Sequence, residues 1–155
     1  MLFRSRANSG SGKTCIVPKV FVDTNVLVYA LDQHDAQKQH HCRSLLRQLQ
    51  SRGEAVVSTQ VLQEFYVAAT QKLGVDPLLA KSIVHTLHNM EVVGITPALI
   101  EEAIDCSILN QISFWDALIA VSAESARCQI LLSEDLNDGQ LVSGVLVQNP
   151  FTAKH

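Results

Sequence analysis

Four acidic residues stand at the ends of short apolar segments, where carboxylates could converge on a divalent cation. They are Asp23 after Val20-Phe21-Val22, Glu64 in Gln63-Glu64-Phe65, Asp116 in Trp115-Asp116-Ala117, and Asp135 in Ser133-Glu134-Asp135. Oxygen-only ligands favour Mg²⁺ or Mn²⁺ over zinc. If the fold brings the four carboxylates together, the sequence predicts a metal-dependent hydrolytic site.

Each carboxylate also has a purely structural explanation. Asp23 could cap the helix that follows it, since Asp accepts hydrogen bonds from free backbone N–H groups there. Asp116 lies three residues after Ser113, the spacing of a capping box. Asp135 could belong to a polar turn. Glu64 is harder to explain in this way, because its helical neighbours are apolar and an unpaired carboxylate beside them is unfavourable.

The elements that must position these residues alternate between strand and helix. Five short, mostly β-branched segments predict strands: Val20–Val22, Ala55–Ser58, Val92–Ile95, Ile130–Leu132 and Val145–Val147. Five longer segments predict helices: Asp35–Gln50, Thr59–Lys72, Pro77–Asn89, Pro97–Leu109 and Ser113–Ala126. This alternation predicts an α/β fold with a central parallel sheet, whose ligands gather at the carboxyl ends of the strands.

The chain divides into a leader, one domain and a short tail. Residues 1–18 are small and polar at their centre, so they predict a flexible leader, native or added for expression. Their Gly12-Lys13-Thr14 resembles the end of a phosphate-binding loop, but Ala7 replaces the first glycine and no strand precedes it. Residues 19–151 predict a single domain and residues 152–155 a tail.

Composition limits the partners and the compartment. The 155 residues carry a net charge of −3 and contain no basic run, so binding to nucleic acid would need a local basic rim or a second subunit. No apolar run reaches the length of a membrane span. The four cysteines form no C-x-x-C pair, and the cytoplasm is the predicted compartment. Basic residues near the acidic segments are the candidate contacts for such a nucleic acid: Lys13, Lys19, Arg43, Arg47 and Lys72.

Other chemistry-bearing residues indicate less. His85 and His88 share a helix face, but no third ligand accompanies them, which predicts a surface position. Ser133 has no paired base in the sequence, so a serine hydrolase is disfavoured. Trp115 opens an apolar helix, and core packing is favoured over stacking on a nucleic-acid base.

In order and spacing, these motifs resemble the PIN domain family, and within it the VapC-type toxins of toxin–antitoxin systems. Similarity extends from Lys19 to Phe151. Val-Asp-Thr-Asn-Val-Leu at 22–27 is similar to the first motif of the family. Residues 63–65, 115–119 and 133–136 are similar to its second, third and fourth motifs. The closing motif resembles the segment that ends in Asn149-Pro150-Phe151.

This resemblance implies a five-stranded parallel sheet and a ribonuclease that uses Mg²⁺ or Mn²⁺. Asp23, Asp116 and Asp135 would bind the metal, and Glu64 would complete the acidic pocket. Neighbouring polar residues would hold the carboxylates through hydrogen bonds: Thr24, Asn25 and Ser133. The expected partners are RNA, a cognate antitoxin and a second copy of the chain.

Two alternatives remain open at this point. One is a PIN-like module that binds RNA or protein without cutting, and the other is a small-molecule phosphohydrolase. Four converging acids disfavour a pure RNA binder, because they repel phosphate. No visible nucleophile motif or glycine-rich phosphate loop supports the phosphohydrolase.

Overall fold

The structure is a computed structural model and describes residues 18–152. The segments 1–17 and 153–155 lie outside the described residues. Almost all of the predicted leader, the phosphate-loop-like residues 12–14 and most of the predicted tail therefore lie outside them as well.

A six-stranded sheet forms the centre of the domain, with the strand order β3-β2-β1-β4-β6-β5. All neighbouring strands run parallel except β5, which is antiparallel to β6. The strands are β1 (Val20–Val22), β2 (Ala55–Ser58), β3 (Glu91–Val93), β4 (Ile130–Leu132), β5 (Leu141–Val142) and β6 (Val145–Gln148). The predicted parallel α/β sheet is confirmed.

Helices lie between consecutive strands from β1 to β4 along the chain. They are α1 (Thr24–Tyr29), α2 (Ala36–Ser51), α3 (Thr59–Gln71), α4 (Pro77–Leu87), α5 (Pro97–Asn110) and α6 (Phe114–Ser125). Within the described part of the chain, no single helix is long and apolar enough to cross a membrane. Only α5 and α6 taken together, with a bend of 116° between them, reach the required length and composition.

The central strands are buried on both faces, which explains why they are continuously apolar. Every residue of β1 and β2 is buried. Phe21 of β1 and Phe65 of α3 are among the largest fully buried side chains. Burying such a side chain stabilises the fold by about 1.5–3 kcal/mol, so this core fixes the positions of the strand ends.

The sheet has one strand more than the five predicted. β5 contains only two residues, too few for an alternating pattern to appear in the sequence. It joins β6 through Ser143 and Gly144, whose φ angles of 50° and 78° are those of a tight two-residue hairpin turn. Strand β3 also begins and ends earlier than predicted, since it spans Glu91–Val93 and Gly94 follows it.

Candidate functional site

The carboxyl ends of β1 and β4 bring the first and last acidic motifs together. Val22 pairs with Leu132 across the two strands, and the N–H of Asp23 donates to the carbonyl of Leu132 at 3.0 Å. Asp23 and Ser133, the residues that follow the two strands, are therefore neighbours. This is the sheet edge at which the strand pattern predicts a ligand site.

Asp23 is a buried carboxylate with a full set of donors. Its Oδ1 accepts from the N–H of Thr24 at 2.7 Å and caps α1. Its Oδ2 accepts from the hydroxyl of Ser133 at 2.7 Å and from the amide of Asn25 at 3.4 Å. Asp23 is thus both a helix cap and a member of the acidic cluster, so the two interpretations are compatible.

Asn25 connects the first and fourth motifs. Its amide nitrogen also donates to Oδ2 of Asp135 at 3.1 Å, and its Oδ1 accepts from the N–H of Glu134 at 3.3 Å. The hydroxyl of Ser133 accepts from the N–H of Asp135 at 3.1 Å. Asp135 itself is exposed, so its carboxylate faces solvent while its backbone is held.

Glu64 enters the cluster from α3. Its Oε1 accepts from the hydroxyl of Thr24 at 2.7 Å, and its Oε2 accepts from Nε2 of Gln60 at 3.2 Å. Gln60 Nε2 also lies 3.2 Å from the carbonyl of Trp115, the residue before Asp116. Gln60 therefore ties the second motif to the third.

Gln60 is a site residue that was not predicted from the sequence. Its signal is a polar side chain four residues before Glu64 on the same helix face. Gln60 is only 4% exposed, and its Oε1 has no hydrogen-bond partner among residues 18–152.

Asp116 lies in the first turn of α6, half-buried. Ser113 is the N-cap of this helix, and its hydroxyl accepts from the N–H of Asp116 at 3.0 Å. Burial raises the pKa of Asp116, the Ser113 hydroxyl opposes this shift, and the charges of Asp135 and Glu64 add to it.

The pKa values of Asp23 and Asp116 are both affected by the charges of the other two acids. Burial raises the pKa of Asp23 to about 7, against the hydrogen bonds from Ser133 and Thr24, and the charges of Asp135 and Glu64 raise it further. Asp135 and Glu64 thus act on both Asp23 and Asp116. The structure therefore brings all four predicted acids together.

The donor chemistry suits a hard divalent cation, because the ligand atoms that the four acids offer are carboxylate oxygens. No three Asp, Glu, His or Cys side chains in the described ranges already stand close enough to hold an ion. Hydrogen bonds from Thr24, Asn25 and Ser133 occupy the inner carboxylate oxygens instead. The cluster has the ligand types of a cation site without its closed geometry.

A groove of about 900 Å³ opens beside the cluster. Glu64 and Asp135 line it together with polar side chains and with an apolar wall. The polar group includes Asn25, Gln63, Gln71 and Lys72, and the apolar group Val28, Val67, Ala68 and Leu73. The groove gives an extended ligand access to the two outer acids.

The basic residues predicted to contact RNA lie in different surroundings. Lys72 lines the groove. Lys19 does not lie near the acids, because it precedes β1, where its Nζ pairs with Glu91 at 2.9 Å and donates to the carbonyl of Ala126 at 3.1 Å. This position at the amino end of β1 does not support its prediction as an RNA contact. Arg43 donates to the carbonyl of Ala30 at 2.7 Å, and Lys13 lies outside the described residues.

The aromatic and histidine predictions also differ in outcome. Trp115 is 61% exposed, so the prediction of core packing is wrong. It occupies the first turn of α6, where the buried face is formed by later residues such as Ala117 and Leu118. His85 and His88 are exposed with their rings 5.4 Å apart, as predicted for surface residues.

Comparison with known proteins identifies a family to which the domain is similar. Residues 20–137 match the model of the PIN domain. A comparison with curated proteins found no significant match.

Solved structures share the fold at low sequence identity. The sarcin–ricin-loop-cleaving toxin VapC20 of Mycobacterium tuberculosis is 19% identical with a TM-score of 0.61, covering 76% of this chain and 92% of that chain. A toxin–antitoxin complex from Klebsiella pneumoniae gives 18% identity and a TM-score of 0.63, covering 85% and 98%. DNA-bound VapBC from Salmonella typhimurium has 17% sequence identity and a TM-score of 0.63, and the match covers 86% of this chain and 99% of that chain. The match to the family model and these likenesses agree, and the chain belongs to the PIN domain family.

Proposed function

We propose that this protein is a divalent-metal-dependent endoribonuclease and the toxin of a toxin–antitoxin pair. The observation that carries the proposal is the grouping of Asp23, Glu64 and Asp135 through shared hydrogen bonds beside an open groove. Asp116 joins them through the Gln60 contact with the Trp115 carbonyl and through the charges of Asp135 and Glu64. A binding module gains nothing from this arrangement, because clustered carboxylates repel each other and repel phosphate.

Asp23, Asp116 and Asp135 are the proposed metal ligands. When bound, Mg²⁺ or Mn²⁺ would neutralise phosphate charge and activate water for attack on the phosphodiester. Burial raises the pKa of Asp23 to about 7, so a cation would compete with a proton for this carboxylate near neutral pH. These three carboxylates do not form a closed ligand set among the described residues, so metal binding would require them to move closer together.

Glu64 is proposed to orient the attacking water. Thr24 and Gln60 hold both of its oxygens, so its carboxylate is fixed relative to the groove. Asn25 and Ser133 hold Asp23 and the Asp135 segment in the same way. Such supporting hydrogen bonds fix the direction of carboxylate ligands.

The proposed substrate is RNA, and the proposed partners are a cognate antitoxin and a second copy of the chain, in the cytoplasm. Two similar solved structures are complexes of toxin with antitoxin, and these support the antitoxin as a partner. Exposed apolar residues on α4 and α5 support protein contacts: Leu78, Leu79, Ile108 and Leu109. Lys72 provides a basic side chain in the groove for a phosphate.

A non-cleaving PIN-like module is the second candidate, favoured by the absence of a closed ligand set among residues 18–152. Purified protein incubated with RNA in Mg²⁺, in Mn²⁺ and in chelator distinguishes the two. We expect cleavage with either metal, none in chelator, and a loss of orders of magnitude in Asp23→Asn and Asp116→Asn. Binding of RNA without metal-dependent cleavage would support the second candidate.

A further inference from the structure

A second charged cluster lies directly beside the acidic site, formed by Lys38, Glu134, Tyr29 and Phe151. The Lys38 ammonium donates to Oε2 of Glu134 at 2.7 Å, and the Tyr29 hydroxyl donates to Oε1 at 2.9 Å. Lys38 Nζ also lies 3.3 Å from the Tyr29 hydroxyl. Both oxygens of the Glu134 carboxylate are therefore occupied.

Lys38 is held in place by two aromatic rings. Its Nζ lies 4.4 Å from the ring centre of Tyr29 and 4.5 Å from that of Phe151. The two rings meet edge to face at 5.2 Å. Because cation–π contacts and a charged hydrogen bond act together, this lysine is fixed more firmly than a surface lysine.

The cluster separates two carboxylates that are adjacent in the chain. Asp135 is exposed in the groove and bonds to Asn25, whereas the Glu134 carboxylate is directed to Lys38 on α2. Glu134 also belongs to the groove wall, so a free Glu134 carboxylate would lie within the same space as Asp135. The Lys38 charge is what neutralises it.

We propose that Lys38 is a positioning residue that withholds Glu134 from the metal site, so that Asp135 alone of the two carboxylates serves there. This inference rests on the proposed function. It assigns Lys38 no contact with RNA or metal, because its charge is already matched by Glu134. Its effect on cleavage passes entirely through the Glu134 carboxylate.

Loss of Lys38 should therefore affect Mn²⁺ binding and turnover differently. In Lys38→Met, the freed Glu134 carboxylate becomes an extra oxygen ligand beside Asp135. We expect Mn²⁺ to bind as in the wild type or up to about threefold more tightly, while turnover falls about tenfold because the ligand set is wrong. A merely structural role of Lys38 would weaken Mn²⁺ binding, turnover and thermal stability together.

The test compares Lys38→Met, Glu134→Gln and the double variant, with the Mn²⁺ dissociation constant from calorimetry and turnover from RNA cleavage. Glu134→Gln should keep wild-type values, because its single amide oxygen can still accept from Lys38 and its amide nitrogen can donate to the Tyr29 hydroxyl. The double variant should regain wild-type turnover, because no free carboxylate remains. Lys19→Met is the matched control, since it removes a Lys–Glu pair of 2.9 Å elsewhere and should change neither quantity.

Three outcomes would overturn the inference. Wild-type turnover in Lys38→Met would show that Lys38 has no role. Equal impairment of Lys38→Met and the double variant would place the effect in RNA contact or in packing. Wild-type protein without Mn²⁺-dependent cleavage would refute the proposed function itself, and this inference with it.

Discussion

The hydroxyl of Ser133 donates to Oδ2 of Asp23 at 2.7 Å, although 110 residues separate the two in the chain. The same hydroxyl accepts from the N–H of Asp135 at 3.1 Å. One small side chain therefore connects a buried acid to the backbone of an exposed acid. The Ser133 hydroxyl thus adds a side-chain link to the pairing of β1 with β4, which already makes the two segments neighbours.

Replacing this hydroxyl should weaken metal binding. In Ser133→Ala, the pKa of Asp23 rises further, because the Ser133 hydrogen bond lowers it. We expect the affinity for Mn²⁺ to fall about tenfold, as is typical when a residue that orients a metal ligand is lost. Calorimetry measures this. Ser125→Ala removes a hydroxyl bonded to the carbonyl of Ser122 at 2.8 Å and serves as the control without effect on affinity.

The raised pKa of Asp23 predicts the direction of a pH effect on stability. Its pKa is about 7 in the folded protein, against 3.8 for a model carboxyl group. The folded state thus binds this proton more tightly, so the contribution to stability is complete below pH 4 and is lost as the pH rises through about 7. Between those limits, metal-free protein should lose on the order of 1 kcal/mol per pH unit.

Thermal unfolding in chelator from pH 5 to about pH 8 measures this loss of stability. The upper limit of the slope is roughly 1.4 kcal/mol per pH unit, the value for one proton bound only in the folded state. Asp23→Asn carries no titrating group there and should show a flatter profile. Parallel profiles for the wild type and Asp23→Asn would contradict the assignment of the shift to Asp23.

Substitutions of Asp116 and of Ser113, the N-cap of α6, should differ in how metal affects their stability. Asp116→Asn removes a charge that Asp135 and Glu64 oppose, so in chelator it should melt at the same temperature as the wild type or higher. With Mn²⁺, the wild type should gain stability through binding, and Asp116→Asn should not. Ser113→Ala loses the cap of α6 and should cost about 1 kcal/mol with or without metal.

Melts of the three proteins, each with chelator and with Mn²⁺, provide the comparison. If Mn²⁺ does not stabilise the wild type and Asp116→Asn is clearly less stable in chelator, the carboxylate acts as a structural group and the proposed metal site is wrong.

Trp115 provides a direct probe of the same site. It is the single tryptophan of the chain, it is 61% exposed, and it precedes Asp116. Paramagnetic Mn²⁺ bound at Asp116 should quench its fluorescence, whereas Mg²⁺ should not. Asp116→Asn should abolish the quenching. Quenching of equal size in that variant would place the ion away from the acidic cluster.

The sequence predicted the strands that position the site because their boundaries are chemically sharp. β1, β2 and β4 were predicted to the residue, since each is an apolar run with polar or turn residues at both ends. β5 escaped prediction because Leu141 and Val142 show no periodicity, and only its pairing with β6 makes it a strand.

The four acids were predictable because each motif is local. The contacts that support them join residues far apart in sequence, as Gln60 does with Trp115 and Lys38 with Glu134, and no local pattern encodes such contacts. Lys19 shows the converse, since closeness in sequence does not place it at the site. Lys19 and Asp23 flank β1, and this three-residue strand puts them at its opposite ends.

The lengths of the two outermost strands determine how the protein can associate. β3 has three residues and β5 has two, so another chain that added a strand at either edge would gain few backbone hydrogen bonds. Short edge strands discourage aggregation through sheet extension. Extension of the sheet is therefore a disfavoured route of association, both for a second copy of the chain and for a partner peptide that binds as an added β-strand.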